Sequence, residues 1–212
     1  MSADHKRASK LVVFAGVSGT GKSETALAIS RSVGSAPVLE IDIVKQVLDE
    51  SGLPSVNRFV VDSPTDPGTM RRAYESLQER ASLLLNAGYD VIAVATHRSA
   101  VAQQRIARVA EGAGAEFHPY VLTGSREALE ARVLRRPKGH MSGINDPAEV
   151  RRMLEGFSDF PGARLIDTSI LSLQETVRTI VTEVWGAEYY RPETLTDFIK
   201  ARAHGFRRLR SG

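Results

Sequence analysis

One octet of this 212-residue sequence combines the residue types that bind phosphate. It reads G-V-S-G-T-G-K-S, from Gly16 to Ser23, and matches the pattern G-x-x-x-x-G-K-[S/T] in full. Glycines let backbone N–H groups turn inward around a phosphate, and a helix start adds a positive dipole end. Glu24 also suits a first helical turn. We predict that the nucleotide is bound by Gly16, Val17, Ser18, Gly19, Thr20, Gly21, Lys22, Ser23 and Glu24.

The segments that flank this octet favour a nucleotide site over a chance glycine-rich turn. An apolar run, Leu11–Ala15, comes before it and predicts a strand. A helical pattern, Lys22–Val33, follows. In such a strand–loop–helix unit Lys22 reaches the β- and γ-phosphates and the Ser23 hydroxyl ligates Mg²⁺. The expected cofactors are therefore ATP, or a close relative, and Mg²⁺.

An acidic residue follows the second apolar run. Val38–Ile41 predicts a strand, and Asp42 comes directly after it. Ligands of doubly wound sheets sit outside the carboxyl ends of the strands, where Asp42 could accept a hydroxyl proton or support Mg²⁺. Aspartate is also a strong N-cap, here for a helix predicted to begin at Ile43. The two interpretations are compatible, and we expect a catalytic and metal-supporting role.

The third predicted strand, Val91–Ala95, lacks the acid that ends a strand in many P-loop NTPases. Asp90 lies at its start, the wrong end for a metal role. The strand runs instead into Thr96, His97 and Arg98, which we expect to face the substrate crevice. For His97 the alternative is an ordinary loop histidine.

Two arginines close a later helical pattern. Arg132 and Arg136 are four residues apart and share a helix face, so they could clamp a transferring phosphoryl group. The alternative is a solvated basic helix end, which the helix dipole favours. Arg135 points elsewhere on the helix. Residues 135–147 look like a lid, and the predicted catalytic set is Lys22, Asp42, Arg132 and Arg136.

Strands and helices alternate along the whole chain. Further predicted strands are Phe117–Leu122 and Leu165–Asp167, and further predicted helices are Ile43–Glu50, Thr69–Asn86, Ala100–Gly112, Arg126–Arg136, Ala148–Leu154 and Leu173–Val184. This alternation predicts an α/β fold of three layers, with a five-stranded parallel sheet covered on both faces. Past Pro192, apolar residues at helical spacing predict a C-terminal helical extension docked on the domain.

Composition limits the class of protein. The chain has no cysteine, which excludes a disulfide framework and a thiolate metal site. Its start is polar and unlike a secretory signal, so we expect a cytoplasmic protein. The net charge is +3, and the excess lies after Thr196. The rest is close to neutral, which disfavours a broad nucleic-acid surface.

The order of these features resembles the small P-loop kinases, a group that includes gluconate kinase, shikimate kinase, chloramphenicol phosphotransferase, zeta toxins, the kinase half of polynucleotide kinases and AAA-type kinase domains. The resemblance covers about residues 10–185 and implies strand order 2-3-1-4-5 and Asp42 as the base. It also implies a substrate contact at the position of Lys45, where the family usually has arginine. The run from Arg132 to Met141 resembles the gluconate kinase lid.

We therefore expect a kinase that transfers the γ-phosphoryl group of ATP to a hydroxyl of a small molecule, with Asp42, Lys45, Thr96, His97 and Arg98 toward the acceptor. The expected organisation is a tail over residues 1–9, the kinase domain over 10–186 and a basic extension over 187–212, as a monomer or homodimer away from membranes. One alternative is a 5′-hydroxyl polynucleotide or RNA kinase that uses the basic tail. The other is a nucleotide-binding regulatory protein without acceptor chemistry.

Overall fold

The computed structural model describes residues 7–34, 36–44, 67–136, 144 and 146–199. The strands β1 to β5 are Lys10–Ala15, Val38–Glu40, Val91–Val94, Glu116–Thr123 and Arg164–Asp167. The helices α1 to α6 are Lys22–Ser32, Pro67–Asn86, Ala100–Ala113, Arg126–Leu134, Pro147–Glu155 and Leu173–Val184. A 3₁₀ turn, Ala187–Tyr189, comes next, and residues 192–199 are helical.

The five strands form one parallel sheet in the order β2-β3-β1-β4-β5, which confirms the predicted topology. All six residues of β1 are buried, as expected for the central strand of a sheet that is covered on both faces. Because all strands run the same way, their carboxyl ends meet at one edge. The loops after β1, β2 and β3 lie at that edge.

Alternate side chains of the sheet pack against two different helical layers. On one face Val12 and Phe14 belong to a buried cluster with α1 and α6. On the other face Leu11 and Val13 pack with α2 and α3. The period of two along β1 thus separates two cores and produces the predicted three layers.

The C-terminal helix docks on the first of these layers. Leu195 and Phe198 are 1% and 6% exposed and join the cluster of α1 and α6. The Arg31 guanidinium lies 4.5 Å from the centre of the Phe198 ring, a cation–π contact. The predicted helical extension is therefore present over 192–199, and its remainder, residues 200–212, lies outside the described residues.

Where the structure describes them in full, the predicted helices and strands lie within two residues of their observed bounds, and the region around Asp42 needs correction. Gly34, Gly88 and Gly114 have positive φ just past the ends of α1, α2 and α3, as is typical of left-handed residues that end helices. The second strand is shorter than predicted, because it ends at Glu40 and residues 41–44 are already helical. Asp42 therefore lies inside a helical turn and does not cap a helix that begins at Ile43.

A third, smaller apolar cluster supports the phosphate loop. It joins α4, α5 and the loop after β1 through Val17, Leu129, Val133, Val150 and Met153. The octet is thus packed against α4, which carries Arg132 and ends at Leu134, two residues before Arg136. None of the helices in the described part of the chain has the length and apolar character that crossing a bilayer requires.

Candidate active site

The first glycine of the octet lets the chain turn sharply out of β1. Gly16 has a φ of 135°, and a Cβ there would lie 2.2 Å from the carbonyl oxygen of Leu122 in β4. Its N–H donates to the Thr96 carbonyl across 3.2 Å, which ties the loop to the end of β3. No other residue type fits this position, because both the backbone angle and the space exclude a side chain.

The middle of the loop rests on α4. Gly19 has a φ of 92°, and a Cβ there would meet the Leu129 carbonyl oxygen at 3.1 Å. The buried hydroxyl of Thr20 donates to the carbonyl of Val17 across 3.0 Å and closes the loop. Gly21 then begins α1 without a side-chain cap, so the first amide groups of this helix are left for a ligand.

Lys22 lies in this loop with its charge poorly solvated. Its Nζ donates to the Val17 carbonyl across 2.8 Å. Burial lowers the pKa of Lys22 to about 8; the charge of Asp42 acts against this shift, and the charge of Arg136 adds to it. A nearby anion would stabilise the charged form of this desolvated lysine, which favours the binding of phosphate here.

An acid that the sequence analysis did not single out contacts the loop directly. Glu40 is the last residue of β2, and its carboxylate accepts a hydrogen bond from the Ser23 hydroxyl. In the sheet Glu40 is the partner of Val94, the final residue of β3. The end of β3 has no carboxylate, but the neighbouring strand β2 has one, Glu40, at the register position opposite Val94.

Asp42 lies two residues beyond Glu40 and is half-buried. Its negative charge acts on three groups around it: it opposes the lowering of the pKa values of Lys22 and Arg136 by burial, and it adds to the rise that burial causes in the pKa of Tyr74. Asp42 therefore shares one electrostatic site with the phosphate-loop lysine and an arginine. A carboxylate so placed can act as a proton acceptor next to the phosphate loop.

The two arginines predicted from their spacing both contact the phosphate loop. Arg136 Nη1 donates to Ser18 Oγ across 2.7 Å and to the Ile144 carbonyl across 3.2 Å. Burial lowers the pKa of Arg136 and the charge of Asp42 acts the other way. Arg132 is more exposed and donates to the backbone of Gly19 and Thr168 across 3.3 and 2.6 Å. Arg136 faces the site, whereas Arg132 joins the loop to the end of β5.

The three residues after β3 point in different directions. Thr96 is half-buried and holds Gly16. The Arg98 side chain packs over Gly156 at the end of α5, because a Cβ at Gly156 would lie 2.5 Å from Arg98 Nη2. His97 is wholly buried, so the expectation that it faces an open crevice is wrong. Its ring lies between Tyr74 and Phe160 at centroid distances of 5.6 and 6.5 Å.

The remaining residues named in the sequence analysis are Glu24, Asp90, Lys45 and those of the lid. Glu24 is half-buried in the first turn of α1. Asp90, at the start of β3, bonds with Trp185 Nε1 across 2.6 Å and with Arg7, so it stabilises the opposite end of the sheet. Lys45 and lid residues 137–143 and 145 lie outside the described residues.

The described residues suit a metal ion that arrives with the nucleotide. They contain no group of three or more His, Cys, Asp or Glu side chains arranged to hold a metal. Ser23 and Glu40 offer a hydroxyl and a carboxylate oxygen next to the phosphate loop. Mg²⁺ keeps several waters and takes phosphate oxygens as ligands, so this partial set fits it.

Comparison with known proteins agrees with this geometry. A family model described as an AAA domain matches residues 11–159. No curated protein matches the sequence. Among solved structures, the chain resembles a sugar kinase from Janibacter sp. HTCC2649 with a TM-score of 0.63 and 18% identity, over 86% of this chain and 99% of that one.

Two further solved structures are similar. A gluconokinase from Sinorhizobium meliloti 1021 has a TM-score of 0.59 and 20% identity, over 94% of this chain and 98% of that one. The APS kinase of Mycobacterium tuberculosis, solved with AMPPNP and APS, has a TM-score of 0.60 and 21% identity, over 82% and 96%. At these identities the likeness establishes a kinase-like P-loop fold.

Proposed function

The chain belongs to the AAA domain family and has a kinase-like P-loop fold, and from this premise we propose that it is an ATP-dependent phosphotransferase acting on a hydroxyl of a small molecule. The observation that carries the proposal is the charge arrangement at the loop. Lys22 and Arg136 on one side and Asp42 on the other act on one another electrostatically. A nucleotide-binding protein without acceptor chemistry would not need this proton acceptor.

Two side chains already hydrogen-bonded to the loop can turn donors to ATP. Lys22 Nζ, now bonded to the Val17 carbonyl, has further N–H groups for the β- and γ-phosphates, and Arg136, now bonded to Ser18, has further N–H groups for a phosphate oxygen. Both residues are already positioned and partly desolvated, so their charges act strongly on the phosphates. Mg²⁺, when bound with ATP, neutralises phosphate charge, and Ser23 and Glu40 are the residues that would hold it.

In the transfer step the acceptor oxygen attacks the γ-phosphorus, and the bond from this phosphorus to the β–γ bridging oxygen breaks. The hydroxyl proton passes to a carboxylate oxygen of Asp42, and ADP leaves with the bridging oxygen. Lys22 and Arg136 stabilise the charge that spreads over the phosphoryl oxygens. Glu40 is less suited to take the proton, because its carboxylate is engaged with Ser23.

The test is a screen for acceptor-dependent ADP release with sugars, sugar acids, antibiotics, nucleosides and 5′-hydroxyl oligonucleotides. We expect one of the small molecules to stimulate release in the wild type and not in Lys22→Ala. Stimulation by oligonucleotides alone would favour the polynucleotide kinase alternative. No stimulation by any compound, together with normal ATP binding by Lys22→Ala, would refute the proposal.

A further inference from the structure

His97 has a strained backbone that its neighbours hold in place. Its φ is 44°, and it is the sole non-glycine residue with positive φ among the described residues. Its N–H donates to the Tyr74 hydroxyl across 3.2 Å, and its carbonyl accepts from Gln103 Nε2 across 3.0 Å. The same Gln103 nitrogen donates to the Ser158 carbonyl. Strain that is fixed from several sides is typical of functional sites, because nothing in local folding favours it.

The side chain of His97 is buried without hydrogen bonds. Within the described part of the chain neither Nδ1 nor Nε2 has a partner, and the nearby Gln103 Oε1 is also unpaired. Leaving such groups buried and unsatisfied destabilises the folded chain. Aromatic rings on both sides, Tyr74 and Phe160, keep the imidazole in place. The fold therefore buries three polar atoms, His97 Nδ1 and Nε2 and Gln103 Oε1, that could bond to a ligand, and this burial lowers its stability.

This group lies beside the proposed chemistry and carries no charge. His97 follows Thr96, whose carbonyl holds the first glycine of the phosphate loop. Burial lowers the pKa of His97 to about 4, with a further contribution from the charge of Lys22. Besides burial, the negative charge of Asp42 contributes to the raised pKa of the neighbouring Tyr74. At neutral pH the ring offers one N–H donor and one nitrogen acceptor close to the proposed base.

We infer that His97 is a specificity-determining residue of the acceptor site, and that its ring pairs with an uncharged, hydroxyl-bearing part of the acceptor. The inference rests on the proposed phosphotransferase function and narrows its substrate class. A hydroxyl group donates and accepts at once, which complements the two ring nitrogens. A carboxylate or phosphate at this point would lose its water shell, and the neutral ring would offer it only one N–H donor, with its second nitrogen a lone-pair acceptor.

Access to the ring requires a local movement. The ring is enclosed in this structure, and of the two aromatic side chains that flank it, Tyr74 is the more exposed and Phe160 belongs to the core. An acceptor that reaches His97 therefore displaces the Tyr74 ring and takes over its contacts. A trapped water would satisfy the same nitrogens, and this is the competing explanation that the experiment separates.

The first experiment compares His97→Leu and His97→Asn with His118→Asn, a control at the opposite end of the sheet. Asparagine retains hydrogen-bonding capacity and tolerates positive φ, so it separates the loss of a contact from a loss of folding. The probes are glucose, uridine and chloramphenicol, which have no anionic group, and gluconate and shikimate, which are anionic. Thermal unfolding is measured for every variant.

We expect the best acceptor to be one of the three non-anionic probes. His97→Leu should raise its KM about tenfold or more, with ATP affinity unchanged. His97→Asn should recover part of the loss, and His118→Asn should match the wild type. A preference for an anionic probe, or an unchanged acceptor KM in His97→Leu, would overturn the inference while leaving the phosphotransferase function intact.

The second readout does not depend on turnover. Ring ¹⁵N signals of the five histidines, with His97 assigned by its loss in His97→Asn, are recorded with each probe. The inference expects the His97 signal to shift with a non-anionic probe and not with ATP alone. If no probe moves it, the ring binds only water and the inference fails. If no probe stimulates ADP release, the proposed phosphotransferase function fails. The His97 ring signal then still shows whether a probe binds at His97.

Discussion

The carboxylate of Glu40 accepts a hydrogen bond from the hydroxyl of Ser23, so the last residue of β2 is joined to the last residue of the phosphate octet. In the sheet Glu40 is paired with Val94, at the point where many P-loop proteins carry an acid on β3. Under the proposed function, Glu40 supplies from β2 the carboxylate that supports Mg²⁺, and Asp42 is the residue that accepts the proton.

Replacing Glu40 by glutamine should weaken metal binding more than nucleotide binding. The amide keeps the shape but removes the charge near Ser23, and loss of such a supporting group lowers metal affinity by about 10–100-fold. We therefore expect the Mg²⁺ concentration for half-maximal ATP-analogue binding to rise at least about tenfold. Calorimetric titration at several Mg²⁺ concentrations measures this, with Glu75→Gln, an exposed acid of α2 paired with Arg71, as control. An unchanged Mg²⁺ requirement would remove Glu40 from the site.

Arg136 and Arg135 form a matched pair for testing the arginine clamp. Arg136 contacts Ser18, whereas its neighbour Arg135 is exposed at the end of α4. Arg136→Ala should lower kcat about 100-fold or more, because a preorganised donor to the transferred group is lost. Arg135→Ala should stay within about twofold of the wild type. Equal effects of the two changes in steady-state kinetics would show that general positive charge, not this contact, matters.

How far the sequence predicts this site can be judged from particular residues. The positions of Gly16 and Lys22 in the phosphate loop were predictable, because the local motif and the strand and helix that flank it determine the loop. The Glu40 contact was missed because Ile41 suits both a strand and a helix, and the first helical turn begins there. The burial of His97 depends on Tyr74 and Phe160, which are distant along the chain, so no local pattern indicates it. The spacing of Arg132 and Arg136 predicted a shared helix face, but α4 ends at Leu134, so Arg136 lies past the helix and contacts different partners.

The low pKa of Lys22 has a consequence for stability. Its pKa is about 8 in the folded chain and 10.5 ordinarily, so the unfolded chain binds more protons between these values. The penalty for burying this charge is complete below pH 8 and fades as pH rises toward 10.5. Lys22→Met should therefore unfold at a higher temperature than the nucleotide-free wild type at pH 7, with a smaller difference at pH 9.5. A lower melting temperature at pH 7 would contradict this.

The docked C-terminal helix should contribute measurably to stability. Leu195 is 1% exposed, whereas Ile199 on the same helix is 43% exposed. Leu195→Ala should lower the free energy of unfolding by about 2–5 kcal/mol. Ile199→Ala should change it by about 0.5 kcal/mol or less. Denaturant unfolding checks both, and a Leu195→Ala variant as stable as the wild type would mean that residues 192–199 are not part of the cooperative core.

The most direct test of the phosphotransferase account is transfer of the labelled γ-phosphoryl group from ATP to the best small-molecule acceptor, in the wild type and in Asp42→Asn. The account predicts a phosphorylated acceptor in the wild type, and at least about a hundredfold slower transfer in Asp42→Asn with nearly unchanged ATP affinity. Transfer by Asp42→Asn at the wild-type rate would contradict the role of Asp42. Wild-type protein that binds ATP and labels none of the acceptors would contradict the account as a whole.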